Sequence, residues 1–197
     1  GDRVDIRLPE NQLEFVKQIR SKVKDKPLIA VITGGSAMAI PELDSIADAV
    51  LFAWYPGEAG GFAVADIIFG DVNPSGRLPV TFYKSVNDLP DFENYSMDGR
   101  TYRYFDGEPL YPFGYGLSYS RFEYSNARAV QIEDKIEIQI TVKNTGEFDG
   151  DVVVQLYARK KNPEFWRPIK QLIAFKRISV KNGESQTITI PVDPKQL

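Results

Sequence analysis

The sequence predicts an α/β part followed by an all-β part. Two observations divide the 197 residues in this way. Up to about residue 118, segments with a helical period alternate with short runs rich in Ile and Val. After it, apolar residues recur at every second position. The first pattern is typical of a mostly parallel sheet with right-handed crossovers, and the second is typical of a β-sandwich.

The first predicted element is an amphipathic helix. Pro9 suits a first helical turn, where its missing N–H costs nothing. Apolar residues then follow at helical spacing: Leu13, Val16, Ile19 and Val23. Lysines at positions 22, 24 and 26 favour the C-terminal end of this helix because they complement its dipole.

Three short apolar runs predict the strands of the α/β part, at residues 28–33, 49–54 and 78–82. Their nearly continuous apolar character is typical of strands buried on both faces of a parallel sheet. Residues 41–48 and 62–69 are predicted helices between them, the second ending at Gly70. We therefore predict a C-terminal part of an α/β sandwich domain over residues 1–83.

Residues 84–117 have no sustained period, yet they are dense in aromatic residues. A disordered linker is poor in aromatic residues, so we expect an ordered linker that packs its rings on the parts at either side.

Residues 118–197 are predicted to form an immunoglobulin-like or fibronectin-like sandwich. Alternation marks strands at residues 135–142, 151–159, 172–180 and 187–192, and Asn182-Gly183 predicts a hairpin between the last two. A complete sandwich has about seven strands, so we expect this one to be incomplete at its C-terminal end.

The composition excludes several kinds of chemistry. The chain has no Cys and no His, so it can build neither a disulfide, a Cys/His zinc site nor a Ser-His-Asp triad, and Ser36 has no His to activate it. A net charge of −3 argues against nucleic acid as a partner. The basic runs at residues 22–26 and 159–161 are short and typical of solvated faces. No apolar run is long enough for a membrane span, and we expect no cofactor and no metal.

Three glycines lie between a predicted strand and a predicted helix. Gly57, Gly60 and Gly61 could form an anion cradle at the helix N-terminus, but the phosphate-loop and dinucleotide patterns are absent. The favoured interpretation is a tight turn that needs small residues.

Two other groups of residues could contribute to a sugar site. Paired carboxylates carry out glycoside hydrolysis, and the candidates are Asp44, Asp48, Asp88, Asp91 and Glu93. Aromatic rings can stack on sugars, and the candidates are Trp54, Tyr55, Tyr95, Tyr102, Tyr104 and Trp166. For the carboxylates, the favoured alternative to catalysis is a structural role in caps and turns. For the aromatic rings, the favoured alternative to sugar stacking is packing in the core and between domains.

Several motifs together resemble glycoside hydrolase family three. Residues 53–61 read Ala-Trp-Tyr-Pro-Gly-Glu-Ala-Gly-Gly, and residues 74–79 read Pro-Ser-Gly-Arg-Leu-Pro. Residues 111–119 and 167–172 continue the resemblance in the same order. Residues 89–92 and 99–104 are most similar to the β-xylosidase branch, although the β-glucosidase branch shares the other motifs.

The resemblance implies a parent with a barrel domain, an α/β sandwich domain and a fibronectin type III-like domain. It implies a retaining exo-acting β-glycosidase that releases terminal xylose or glucose from oligosaccharides. The nucleophilic Asp and the acid/base Glu of the family precede the segment matched here, so no residue of this chain inherits a catalytic role and we expect the isolated chain to be inactive. Asp2 and Arg3 follow the acid/base loop in the resemblance and are the candidate substrate-proximal residues.

The resemblance also implies the partners and the location. The partners are an oligosaccharide substrate, the missing N-terminal barrel and, in one possibility, a second copy in a homodimer. Neither nucleic acid nor a membrane is expected. A periplasmic or extracellular location is suggested. The alternative functions are a non-catalytic carbohydrate-binding module and a structural or dimerisation module.

Overall fold

The α/β part contains helices and strands in the predicted alternation. The computed structural model describes residues 4–133 and 135–196. Its first part contains α1 (Glu10–Val23), β1 (Ile29–Thr33), α2 (Pro41–Ile46), β2 (Ala49–Trp54) and α3 (Gly60–Phe69). The two strands pair in parallel, with Ile29 opposite Ala49. The predicted parallel arrangement of these two strands is therefore confirmed.

The helix ends follow the predicted signals. Pro9 directly precedes α1, and Arg20 and Lys22 lie in its last turn, where positive charge complements the helix dipole. Gly70 follows α3 with φ of +86°, the left-handed conformation that glycine adopts without strain. Both helices are therefore confirmed, and α3 begins two residues earlier than predicted.

The prediction that β1 is buried on both faces is wrong for this chain. Ile32 is buried in an apolar cluster with Met38, Ile40 and Leu43, whereas Ile29 and Val31 are 40% and 41% exposed. The described residues give this sheet two strands, and the cluster covers one face of β1. Side chains alternate along a strand, so every second residue of β1 faces away from the cluster.

The predicted third strand at residues 78–82 is also wrong. This segment does not join β1 and β2 but runs against residues 110–115. The amide of Leu78 donates to Tyr115 O at 2.8 Å, and the amide of Phe82 donates to Tyr111 O at 2.9 Å. Pro79 lies between them and has no N–H, so a regular ladder cannot form through it.

The segment between the two parts is ordered but largely irregular. It contains a short 3₁₀-helix (Val86–Asp88) and one helical turn, α4 (Thr101–Tyr104). Within residues 4–133 and 135–196, no helix combines the length and the apolar character needed to cross a membrane.

The all-β part is a sandwich of two antiparallel sheets. Its strands are β3 (Phe122–Ile132), β4 (Lys135–Asn144), β5 (Gly150–Ala158), β6 (Gln171–Val180) and β7 (Ser185–Val192). One sheet has the order β3-β4-β7 and the other pairs β5 with β6. The core between them is aliphatic and includes Val142, Val152, Val154, Ile178 and Ile190. The described residues thus supply five of the roughly seven strands of such a sandwich.

The predicted hairpin at Asn182-Gly183 is wrong. The turn is present, with Gly183 at φ of +74°, but β7 pairs with β4 and not with β6. The chain therefore changes sheets at this turn. Gly183 donates its amide to Asn144 O at 3.1 Å, which ties the crossing to the end of β4.

Candidate functional site

The carboxyl ends of β1 and β2 meet at one edge of the α/β part. The amide of Gly34, directly after β1, donates to the carbonyl of Trp54 at 3.1 Å. A Cβ on Gly35 would lie 2.7 Å from the ring of Tyr55, so glycine lets this ring approach. In α/β folds, ligands bind outside the carboxyl ends of parallel strands, and we take this edge as the candidate site.

Trp54 marks this edge by its backbone conformation. Its φ is +55°, in the left-handed region that bulky residues rarely adopt. Its half-buried ring lies 4.6 Å from that of Phe52 and 6.3 Å from that of buried Phe82, in both cases edge-on. Strained residues of this kind cluster at functional sites. The next residue, Tyr55, is 80% exposed.

The glycines after β2 have a structural explanation. Gly57 has φ of +71°, and a Cβ on Gly60 would lie 2.5 Å from Cβ of Pro56. A Cβ on Gly61 would meet nothing within 4 Å. The turn therefore requires glycine at positions 57 and 60 for its own geometry, without any bound anion. The anion cradle stays a prediction.

Asp2 and Arg3, the predicted substrate-proximal residues, lie outside the described residues.

The carboxylates of the α/β part are held by structural partners. Asp44 accepts a hydrogen bond from the hydroxyl of Tyr111, and burial together with this carboxylate raises the pKa of that hydroxyl. Asp48 accepts from Arg20 at 2.6 Å and from the amide of Leu28 at 2.8 Å. These two bonds, that from Arg20 foremost, hold the pKa of Asp48 below its usual value. Asp44 and Asp48 therefore tie elements together and do not form a catalytic pair.

The predicted carboxylates of residues 84–117 are a capping residue and two exposed side chains. Asp88 accepts from the amide of Ser85 and completes a capping box. Asp91 and Glu93 are exposed. Throughout the part of the chain that the structure describes, no three acidic side chains converge as a metal site requires.

The predicted aromatic candidates divide into packed and exposed rings. Tyr102 stacks on Phe113 with centroids 4.2 Å apart, and its hydroxyl accepts from the amide of Leu172 at 3.1 Å. The ring of Tyr104 lies parallel to that of Trp166, 4.2 Å away with a 5° angle between the planes. Trp166 is nevertheless 61% exposed. Packing explains Tyr102, whereas the Trp166 surface remains accessible.

Asn73, which the sequence did not mark as a candidate, joins the α/β part to the start of the β-sandwich. Its side-chain nitrogen donates to Ser120 Oγ and to Asp149 O, both at 3.0 Å. Its oxygen accepts from Ser118 Oγ at 2.9 Å and from the amide of Tyr119 at 2.8 Å. The signal in the sequence is its position directly before the Pro-Ser-Gly-Arg-Leu-Pro motif of residues 74–79.

Family models match both parts of the chain. The glycosyl hydrolase family 3 C-terminal domain matches residues 1–119, which include the candidate edge. A fibronectin type III-like domain matches residues 152–197.

Relatives match the whole chain. A xylan 1,4-beta-xylosidase of Xylanibacter ruminicola is 47% identical over 100% of this chain and 23% of its own length. A periplasmic beta-glucosidase of Salmonella typhimurium is 38% identical over 100% of this chain and 28% of its own. The structure of beta-glucosidase 3B from Thermotoga neapolitana with glucose is similar at a TM-score of 0.88 and 30% identity, over 97% of this chain and 29% of that one. The chain therefore spans about a quarter of the length of these relatives.

Proposed function

The chain belongs to glycosyl hydrolase family 3, whose C-terminal region it represents, and from this premise we propose that its parent is a retaining exo-acting β-glycosidase. The parent removes terminal β-linked xylose or glucose from oligosaccharides. The observation that carries the proposal is the match of the whole chain to a xylan 1,4-beta-xylosidase at 47% identity.

The catalytic carboxyl groups of the parent lie, in our proposal, outside this chain. A retaining glycosidase needs two carboxyl groups about 5–5.5 Å apart, one as nucleophile and one as acid/base. Asp44 accepts a hydrogen bond from Tyr111, and Asp48 accepts one from Arg20. The chain covers only about a quarter of its relatives' length, and in our proposal the nucleophile and the acid/base come from the part of the parent that precedes it. Its own contribution is the edge at Trp54 and, in our proposal, Asp2 and Arg3 beside the acid/base loop.

We further propose the division into residues 1–83, an aromatic linker at 84–117 and a fibronectin type III-like domain at 118–197. A second candidate function, structural bracing, is favoured by the four hydrogen bonds of Asn73 between the first and last of these parts.

Hydrolysis of aryl β-D-xyloside and aryl β-D-glucoside tests the proposed activity. We expect no turnover by the 197-residue chain and turnover by the parent protein, with the better substrate identifying the sugar. Turnover by the chain alone would overturn the assignment of the carboxylates, and a silent parent would overturn the glycosidase proposal.

A further inference from the structure

The loop between β5 and β6, residues 159–170, combines an exposed aromatic ring with a cluster of positive charge. Its charged residues are five cations and one acid: Arg159, Lys160, Lys161, Arg167, Lys170 and Glu164. The chain as a whole carries a net charge of −3, so this loop is locally opposite in sign. Such a surface attracts anionic ligands.

These cations are not neutralised by ion pairs in the part of the chain that the structure describes. The ion pairs found there join Asp5 to Arg7, Arg20 to Asp48, Lys84 to Glu108, and Asp151 to Arg177. None of them includes a residue of the β5–β6 loop. Lys170 lies over the ring of Tyr157, 5.2 Å from its centroid, which leaves its charge uncompensated by a carboxylate.

The aromatic surface of the loop is held in place. Trp166 stacks on Tyr104 of α4 in a nearly parallel arrangement. Three residues further along, the amide of Ile169 donates to Arg103 O at 2.6 Å. The loop is thus attached to α4 by both a ring contact and a backbone hydrogen bond. A ring ordered before binding loses less conformational entropy when a ligand arrives.

We propose that the β5–β6 loop binds an anionic oligosaccharide that carries a uronic acid. The flat face of Trp166 packs against the C–H face of a sugar ring. Arg167 and the lysines at positions 160 and 161 receive the carboxylate, for which a guanidinium offers two parallel hydrogen bonds. The choice of a sugar as the ring-shaped ligand rests on the proposed function, and the choice of an anionic one rests on the charge of the loop.

Fluorescence of Trp166 gives a direct test, because the chain has two tryptophans and Trp54→Phe leaves Trp166 as the single reporter. The probes are xylotriose bearing one glucuronic acid, neutral xylotetraose and a single-stranded DNA decamer. We expect the acidic sugar to change the emission and to bind at least tenfold more tightly than the neutral one, with affinity falling as salt rises. Calorimetry on the unsubstituted chain repeats the titrations, so the result does not depend on whether the Trp54→Phe variant folds.

A matched pair of substitutions locates the site. Arg167→Gln should weaken binding of the acidic sugar at least threefold. Arg128→Gln removes the same charge from β3, where Arg128 contacts Gln139 at 2.7 Å, and should leave the affinity unchanged. Equal binding of the neutral sugar, tighter binding of the DNA, equal effects of the two substitutions, or no signal with any probe would each overturn the proposal. Binding is read without hydrolysis, so failure of the glycosidase proposal is recorded separately by the parent's inactivity.

Discussion

The side chain of Asn73 donates a hydrogen bond to Ser120 Oγ at 3.0 Å and thereby links the turn after α3 to the start of the β-sandwich. Ser120 is buried and its hydroxyl donates onward to Phe148 O. The contact therefore belongs to a chain of polar groups at the junction of the two parts. Low local dielectric makes such groups costly to leave unpaired.

Asn73→Ala should reduce the free energy of unfolding. The substitution removes the acceptor of the Ser118 hydroxyl and the donor to Ser120 Oγ at this junction, and we expect a loss of about 1–3 kcal/mol. Urea denaturation followed by circular dichroism measures it. Asn11→Ala, on the exposed face of α1, is the matched control and should change stability by less than about 0.5 kcal/mol.

Asn73→Asp separates the two halves of the amide. The carboxylate keeps the acceptor for Tyr119 but cannot donate to the carbonyl of Asp149. We expect a loss comparable to that of Asn73→Ala. Unchanged stability of the Asp variant would show that the donated bonds contribute nothing.

Phe82 is the apolar centre beneath the candidate edge. It is fully buried, and its ring contacts those of Phe52 at 5.0 Å and Tyr111 at 5.9 Å. Phe82→Ala should lower the free energy of unfolding by about 3–5 kcal/mol, since it removes a buried ring and leaves a cavity.

Phe62→Ala provides the comparison for this loss. Phe62 lies on α3 and is 79% exposed, so the same chemical change should cost less than about 1 kcal/mol. Thermal unfolding of both variants under one condition gives the contrast. Equal losses would contradict the assignment of Phe82 to the core.

Much of the fold could be predicted because local patterns decide it. The helical spacing of Leu13 and Val16 and the glycine after α3 act within a few residues, and both helices form where expected. The strand prediction for residues 78–82 failed because their partner, residues 110–115, lies far along the chain and because Pro79 interrupts the ladder. The turn at Asn182-Gly183 was recognised, but its connection depends on whether β7 fits beside β4 or β6, and no local pattern states that.

The candidate site was less predictable than the fold. The composition of residues 57–61 predicts a tight turn of small residues, and the close approach of Gly60 to Pro56 explains the glycine at position 60. The bonds of Asn73 and the stack of Tyr104 on Trp166 join residues far apart in sequence, so only the tertiary structure could bring them together. Asp2 and Arg3 stay predictions.

Asp151 should make a small contribution to stability that depends on pH. Hydrogen bonds from Ser179 and Arg177 hold the pKa of this carboxyl below its usual value. The unfolded state then takes up the proton first as the pH falls. The contribution is complete above the unfolded pKa and is lost as pH falls through the folded one.

Asp151→Asn should therefore lower stability at pH 6, and its difference from the unsubstituted chain should shrink towards pH 2.5. We expect a difference below about 1 kcal/mol because solvent screens an exposed pair, and Arg177 is 63% exposed. Urea unfolding across this range measures it. Asp98→Asn, in an exposed turn, is the control, and an equal pH dependence in both variants would contradict the role of Asp151.

Two adjacent glycines at the start of α3 give opposite predictions. Gly60→Ala places a Cβ 2.5 Å from Cβ of Pro56, so the turn must shift, and we expect a loss of about 1–3 kcal/mol. Gly61→Ala meets nothing within 4 Å and lies in the helix, where alanine is favoured over glycine by up to about 1 kcal/mol. Thermal unfolding of the two variants compares positions that share helix, neighbours and chemistry. A loss at position 61 equal to that at position 60 would contradict the assignment of the Gly60→Ala loss to the contact with Pro56.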